Sequence, residues 1–247
     1  MPTLEVPLDS LDAALLAAPF ADRLELCDDL PSEGWTPTPS LIRAVCERID
    51  TSRTSIVSMI RPRSANLSPH LDVAAFTTTP RILADALREI EASAKAGAHS
   101  VAIGLLTPDG FVDMEACARM RDVAREHGLI VAFLRTFDLL SDRARGMDDI
   151  TALGMTRVVT AGVLGWDQAV LTLPQRLAVL VADVQCAAQA AVKHGATPVE
   201  VVPGGGVRAS NAAEFLSVSP HLHASCRRDG AISDAELQSL AAIVAAS

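Results

Sequence analysis

ADRLELCDDL, residues 21–30, lies near the start of the chain and gives the first indication of the fold. Within it, RLELC alternates leucine with polar or reactive residues, which is the period of a half-buried β-strand. Leu24 and Leu26 share one face of this predicted strand, and Glu25 and Cys27 share the other. That second face is either open to water or turned into an interior. The organisation of the remaining chain distinguishes the two cases.

Short apolar runs alternate with helix-like segments along the whole chain. The predicted strands are Thr3–Leu8, Arg23–Cys27, Ser55–Arg61, Ser100–Thr107, Leu129–Phe137, Arg157–Ala161, Val199–Pro203 and His221–Cys226. The predicted helices are Ser10–Ala18, Pro39–Ile49, Thr79–Ala96, Met114–His127, Asp142–Leu153, Leu173–His194, Ser210–Val218 and Asp234–Ala246. Eight strand–helix units in about 250 residues predict an α/β fold, a single (β/α)8 TIM-type barrel with parallel strands. An open, doubly wound sheet is the alternative.

The composition supports one domain over residues 1–247. Hydrophobic residues make up 49% of the chain but aromatic residues only 3%, so the core must consist mainly of Ala, Val, Leu and Ile. Such a core is typical of buried parallel strands covered by helices. No linker-like segment divides the sequence.

Charge and cysteine usage narrow the class of protein. A net charge of −9 and a pI near 5.1 argue against nucleic acid or an anionic membrane as the main partner. We expect neither a signal peptide nor a membrane span, because no leader-like start and no apolar run of about 18 residues is present. The five cysteines are scattered and include no CxxC, which indicates a reducing, cytoplasmic location.

Closure of the barrel would turn the polar face of ADRLELCDDL inward. Polar residues of other strands should then meet it at the C-terminal mouth, where active sites of this fold lie. The candidates for acid–base catalysis are Glu5, Glu25, Asp138 and His223, and the candidates for substrate binding are Arg61, Arg135 and Ser225. The alternative is an ion-pair network that fills the barrel without chemistry.

Two loops at the same end are further candidates. PGGG, residues 203–206, follows the seventh strand, and the backbone of Gly204 and Gly205 is predicted to bind phosphate or another anion. The alternative is that the glycines only form a tight turn. Residues 61–72, RPRSANLSPHLD, form either a binding loop or a plain surface loop.

Several motifs together resemble one known family. ADRLELC, TPTPSLI, MIRPR, LLTPDGFVDME, FLRTFD, LGMTRVVTAG, VVPGGGVR and LHASCR occur in this order between about residues 3 and 228. Their order and spacing closely resemble the CutC copper-homeostasis family of cytoplasmic barrel proteins. The resemblance implies a (β/α)8 fold, a cytoplasmic location and a link to copper handling.

The resemblance also bears on individual residues. Cysteines on the first two strands are the suggested Cu(I) ligands in the family, and Cys27 matches the second of them. Pro7 stands where the family commonly has the first, so a Cu(I) site here would depend on Cys27. On the fifth strand the family usually has a histidine where this chain has Leu134.

Three functional hypotheses follow. The chain is a copper-homeostasis protein that binds Cu(I), or a barrel enzyme of the isomerase, aldolase or lyase type that acts on a small anionic metabolite. The third hypothesis is a non-catalytic scaffold. A homodimer is an expectation from the fold alone.

Overall fold

The computed structural model describes residues 1–64 and 71–247, so the loop predicted over residues 61–72 lies partly outside the described residues. Eight parallel strands form one sheet. They are β1 Thr3–Leu8, β2 Arg23–Leu26, β3 Ser55–Met59, β4 Ser100–Ile103, β5 Ile130–Phe133, β6 Arg157–Thr160, β7 Glu200–Pro203 and β8 His221–His223.

The strand order is β7-β6-β5-β4-β3-β2-β1-β8, so the two ends of the sheet belong to consecutive strands. Ser219, just before β8, donates its hydroxyl to the carbonyl of Val201 in β7 at 2.5 Å and links those ends. The sheet is therefore a nearly closed barrel, and the predicted (β/α)8 architecture is confirmed.

Helices alternate with the strands. They are α1 Leu11–Ala17, α2 Pro39–Cys46, α3 Pro80–Ala96, α4 Met114–Glu126, α5 Arg143–Ala152, α6 Leu173–His194, α7 Ala212–Leu216 and α8 Asp234–Ala245. A two-stranded hairpin of β9 Arg227–Arg228 and β10 Ala231–Ile232 lies between β8 and α8. In the described part of the chain, no helix has the length and apolar character needed to cross a membrane.

Three strands end at least three residues earlier than the sequence pattern predicted. β4, β5 and β8 end at Ile103, Phe133 and His223, whereas the predicted strands continued three or four residues further. Apolar residues beyond the strand ends, such as Leu106 and Phe137, are fully buried under the mouth loops. An apolar run therefore reports burial and does not show where the strand pairing stops.

The two faces of each strand pack into different environments. Leu24 and Leu26 belong to the large core between the sheet and the helices. Inside the barrel lies a smaller apolar cluster of Cys27, Val57, Met59, Ala102, Ala132 and Leu134. The polar face of ADRLELCDDL is thus an interior face.

Candidate active site

A cavity of about 420 Å³ opens at the C-terminal ends of the strands. This mouth cavity is within the size range of small-molecule sites. Six of the ten residues proposed from the sequence line it: Glu25, Cys27, Arg135, Gly205, His223 and Ser225. Glu5, Asp138, Arg61 and Gly204 do not.

An imidazole between two carboxyl groups forms the floor of the mouth cavity. His223 Nδ1 lies 2.9 Å from Glu5 Oε1, and its Nε2 lies 3.8 Å from Glu25 Oε2. Glu5 lies below the cavity and is fully buried, whereas Glu25 and His223 reach the cavity surface. The order from inside to outside is therefore Glu5, His223, Glu25.

Two arginines determine the charge of Glu5. Arg23 Nε donates to Glu5 Oε2 at 3.0 Å, and Arg157 Nε lies 3.3 Å from the same oxygen. Burial alone would raise the pKa of Glu5, but Arg157, His223 and Arg23 outweigh it and hold the pKa far below its usual range. Ionised Glu5 can only accept, so His223 Nδ1 carries the hydrogen and Nε2 faces Glu25.

The pKa of Glu25 is shifted in the opposite direction to that of Glu5. Burial and the nearby charge of Glu5 raise the pKa of Glu25 to about 7, against the influence of His223 and Arg157. Its Oε1 is buried and has no hydrogen-bond partner among the described residues. Burial lowers the pKa of His223, but the hydrogen bond to Glu5 and the charges of Glu25 and Glu5 outweigh it and raise that pKa above its ordinary value. Near neutral pH this pair can therefore both donate and accept a proton.

Asp138 lies behind the cavity wall. It accepts from Thr160 Oγ1 at 2.6 Å, from the Ala161 N–H at 2.8 Å and from Arg143 Nη1 at 3.1 Å. Asp138 also accepts from Arg135 Nε at 3.2 Å. Its structural effect is to hold Arg135, which does line the cavity.

The Arg61 side chain does not reach the mouth cavity, in contrast to the prediction from strand geometry. β3 ends at Met59, and the Arg61 guanidinium lies 4.1 Å from the ring centroid of Trp35 and 5.0 Å from that of Phe76. Its Nη1 donates to the Gly34 carbonyl at 3.1 Å. The side chain thus stabilises the rim of the mouth, outside the cavity lining.

The glycines of the turn after β7 have two different roles. The Gly204 N–H donates to the Thr160 carbonyl at 2.7 Å and continues the β6–β7 pairing. Gly205 and Gly206 line the cavity with positive φ values of 64° and 76°.

Cys27 has a second sulfur beside it. The position that a Cβ on Gly34 would occupy lies 2.8 Å from Met59 Sδ and 3.5 Å from Cys27 Sγ. Burial raises the pKa of the Cys27 thiol, as do the carboxylates of Glu25 and Asp9, and its Sγ donates to the Leu8 carbonyl at 3.4 Å. No cluster of three or more His, Cys, Asp or Glu residues suited to a metal ion occurs within residues 1–64 and 71–247.

Several residues of the site were not recognised from the sequence. Arg23 and Arg157 occupy inward positions at the first residue of β2 and β6, and the alternation that identified Glu25 could have found them. Trp166 and Arg176 reach the site from the β6–α6 connection and from α6, and no sequence pattern indicates their destination.

Comparisons with known proteins agree on one family. A family model described as the CutC family matches residues 3–227. A family protein CutC of Histophilus somni is 31% identical over 227 residues, which cover 91% of this chain and 82% of that protein. A human copper homeostasis protein cutC homolog is 28% identical, over 91% of this chain and 73% of its own.

Solved structures show the same fold. A CutC protein of Streptococcus agalactiae superposes with a TM-score of 0.75 at 24% identity, over 91% of this chain and 99% of that one. A 3-hexulose-6-phosphate synthase superposes with a TM-score of 0.61 at 19% identity, over 97% and 98% of the two chains. At these identities the likeness establishes the architecture alone.

Proposed function

The chain belongs to the CutC family, and from that premise we propose that its barrel mouth is the active site of an enzyme that moves a proton on a small anionic molecule. One observation carries the proposal. Glu25 is a nearly buried carboxyl group at the cavity surface with a raised pKa and an oxygen that has no partner among the described residues. Such a group is costly for the fold unless a ligand uses it.

Each residue of the floor has a role in this proposal. Glu25 is the acid–base residue, because a pKa of about 7 allows it to take and return a proton near neutral pH. His223 is the second acid–base residue, with Nε2 directed toward Glu25. Glu5 is a positioning residue that fixes the tautomer and orientation of the His223 ring.

The reaction class follows from these groups. Removal of a proton beside a carbonyl, with a second acid nearby to protonate the oxygen, is the common step of isomerases, aldolases and lyases. Arg135 and Arg227 line the same cavity and suit a carboxylate or phosphate group of the substrate. We also propose a cytoplasmic location, which the five free cysteines support.

Hydrogen–deuterium exchange on carbon tests the proton-transfer proposal without knowledge of the product. The protein is incubated in D2O with a panel of phosphorylated and carboxylated carbonyl compounds, and mass spectrometry detects deuterium gain or turnover. We expect at least one substrate, with rates about 100-fold lower in Glu25→Gln and in His223→Gln. Glu91→Gln, a surface carboxylate paired with Lys95, is the control and should keep the native rate. Native rates in both active-site variants, or no substrate in the panel, would contradict the proposal.

A second candidate function is Cu(I) binding at Cys27, and the neighbouring Met59 favours it. A thiolate and a thioether are soft donors that suit Cu(I), and both side chains line the mouth cavity. The pair thus fits a site of two sulfur ligands, with Met59 in place of the cysteine that Pro7 removes. Because burial keeps the Cys27 thiol protonated, binding must release a proton.

Anaerobic competition against a Cu(I) chelator tests this candidate. We expect about one Cu(I) per chain, lost in Cys27→Ser, weakened about ten-fold in Met59→Leu and tighter at higher pH. Cys46→Ser is the matched control, because Cys46 lies in α2 and does not line the cavity. Failure of the native protein to compete with the chelator would contradict the hypothesis that the isolated chain binds copper.

A further inference from the structure

Two separate groups of unused hydrogen-bond donors face the mouth cavity. We propose that each group forms an anion-binding subsite, and that the substrate is a small molecule with an oxyanion at each end. One subsite is the pair of backbone N–H groups of Gly205 and Gly206. The other is the guanidinium of Arg135. This inference rests on the proposed function, since it names the substrate class for the same cavity.

The glycine subsite is oriented by Arg176. This buried α6 side chain donates from Nη2 to the Gly204 carbonyl at 3.0 Å and to the Gly205 carbonyl at 2.7 Å. Both peptide bonds are trans, so each N–H points opposite to the carbonyl of its own peptide. The N–H groups of Gly205 and Gly206 therefore point away from Arg176, toward the cavity that both residues line.

Those N–H groups are available. Neither has a hydrogen-bond acceptor in the part of the chain that the structure describes. The Gln168 side chain lies against both glycines, yet its Oε1 has no partner among the described residues and does not occupy their N–H groups. Two successive N–H groups on the same side of a turn can bind an oxyanion.

The turn leaves no room for larger residues. A Cβ on Gly205 would lie 2.5 Å from Gln168 Oε1 and 2.9 Å from the Ala161 Cβ, and the φ value of 64° favours glycine. Ser225, which follows β8, and Arg227, the first residue of β9, line the same cavity. The glycine subsite is thus a close-fitting anion site in a cavity that also contains a hydroxyl and a cation.

The Arg135 subsite is equally fixed. Its guanidinium lies 4.3 Å from the ring centroid of Trp166, donates from Nε to Asp138 and donates from Nη2 to the Trp166 carbonyl. Nη1 has no acceptor among the described residues. A guanidinium held in this way presents its free edge without further loss of side-chain freedom, which suits a carboxylate.

The separation of the subsites suits a small molecule. Trp166 contacts Arg135, and Gln168, two residues further along the chain, contacts Gly205. Arg135, Gly205 and Gly206 line one cavity of about 420 Å³, so one small molecule can reach both subsites. A molecule in this position lies across the cavity that also contains Glu25 and His223.

Matched probes that differ in one terminal group test the proposal by calorimetry. Glycerol 3-phosphate and 3-phosphoglycerate differ only in a hydroxymethyl against a carboxylate, and sorbitol 6-phosphate and 6-phosphogluconate form a longer pair. In at least one pair we expect the two-ended acid to bind about ten-fold more tightly to the native protein. Arg135→Gln should remove that preference and leave the affinity for the phosphate alcohol unchanged.

A second variant addresses the glycine subsite. Gly205→Ala should weaken the binding of inorganic phosphate and of both probes about ten-fold, because the added Cβ displaces the turn. Gly195→Ala is the control for backbone strain, since Gly195 has a similar φ of 61° at the end of α6 and nothing within 4 Å of its Cβ position.

The outcomes separate this inference from the proposed function. Equal affinity within both probe pairs, no phosphate binding, or native binding in Gly205→Ala would overturn the two-ended substrate. Binding is measured without turnover, so a confirmed preference beside native exchange rates in Glu25→Gln would preserve the subsites and reject the acid–base proposal. Slowed exchange in Glu25→Gln, together with equal affinity within both probe pairs, would reject only the subsites.

Discussion

Replacing Glu5 with glutamine should lower the free energy of unfolding by about 3–5 kcal/mol, because it leaves buried cations without their counter-charge. Glu5 is fully buried and contacts Arg23, Arg157 and His223. Glutamine has nearly the same shape, so the change removes charge without opening a cavity. His223 can respond by releasing its proton, but the arginines cannot.

Urea denaturation of native protein and variant at neutral pH measures this effect. Glu91→Gln is the control, because its exposed pair with Lys95 should contribute at most about 1 kcal/mol. The double variant Glu5→Gln, Arg157→Gln should regain part of the loss, since it removes one unpaired charge. A Glu5→Gln protein as stable as Glu91→Gln would show that solvent reaches the interior and screens these charges.

Glu25 should make the stability of the folded protein depend on pH between about pH 5 and about pH 8. Its pKa is raised from 4.5 to about 7, so in this range the folded protein retains a proton that the unfolded chain has released. The stability that neutral Glu25 contributes is complete below pH 4.5 and is lost as the pH rises to about 7. A shift of this size corresponds to ~3 kcal/mol.

Glu25→Gln keeps the neutral form at every pH. We therefore expect the stability of Glu25→Gln relative to native protein to rise by about 2–3 kcal/mol between about pH 5 and about pH 8. Denaturation curves at several pH values give this difference directly, and Glu91→Gln should show no such trend. A difference that does not change with pH would mean that Glu25 is ionised throughout and is not the acid–base group proposed here.

The pKa of Glu5 is shifted in the opposite direction to that of Glu25, so Glu5 titrates in a different pH range. Because its pKa is lowered, the stability it contributes is present above its ordinary pKa of 4.5 and is lost only as the pH falls far into the acid range. The Glu25 measurement is therefore free of interference from Glu5.

Strand periodicity was sufficient to predict the barrel and much of the site. Side chains alternate between the two faces of a strand, so the pattern RLELC alone assigns Glu25 and Cys27 to the face opposite the leucines. Eight alternating units then make that face the interior. The same rule placed Glu5 and His223 on the inner face, where the structure brings them into contact with each other.

Residues beyond the strand ends could not be located in this way. Arg61 follows β3 by two residues, and its guanidinium lies between Trp35 and Phe76 from two other loops. The sequence gives no reason to pair Met59 with Cys27, because the two are distant along the chain. In the barrel Cys27 directly follows β2 and Met59 ends β3, the neighbouring strand, and both sulfur atoms lie within 3.5 Å of the position that a Cβ on Gly34 would occupy.

The number of strands, their alternation with helices and the face on which each strand side chain lies could be predicted from the sequence, because they follow from the local periodicity of apolar residues. The folded barrel was needed to show that Glu5 is charged, that Glu25 retains a proton near neutral pH and that Arg176 turns two glycine N–H groups toward the cavity. Each of these depends on charges and hydrogen bonds between groups far apart in the chain. Their positions are set when the barrel closes.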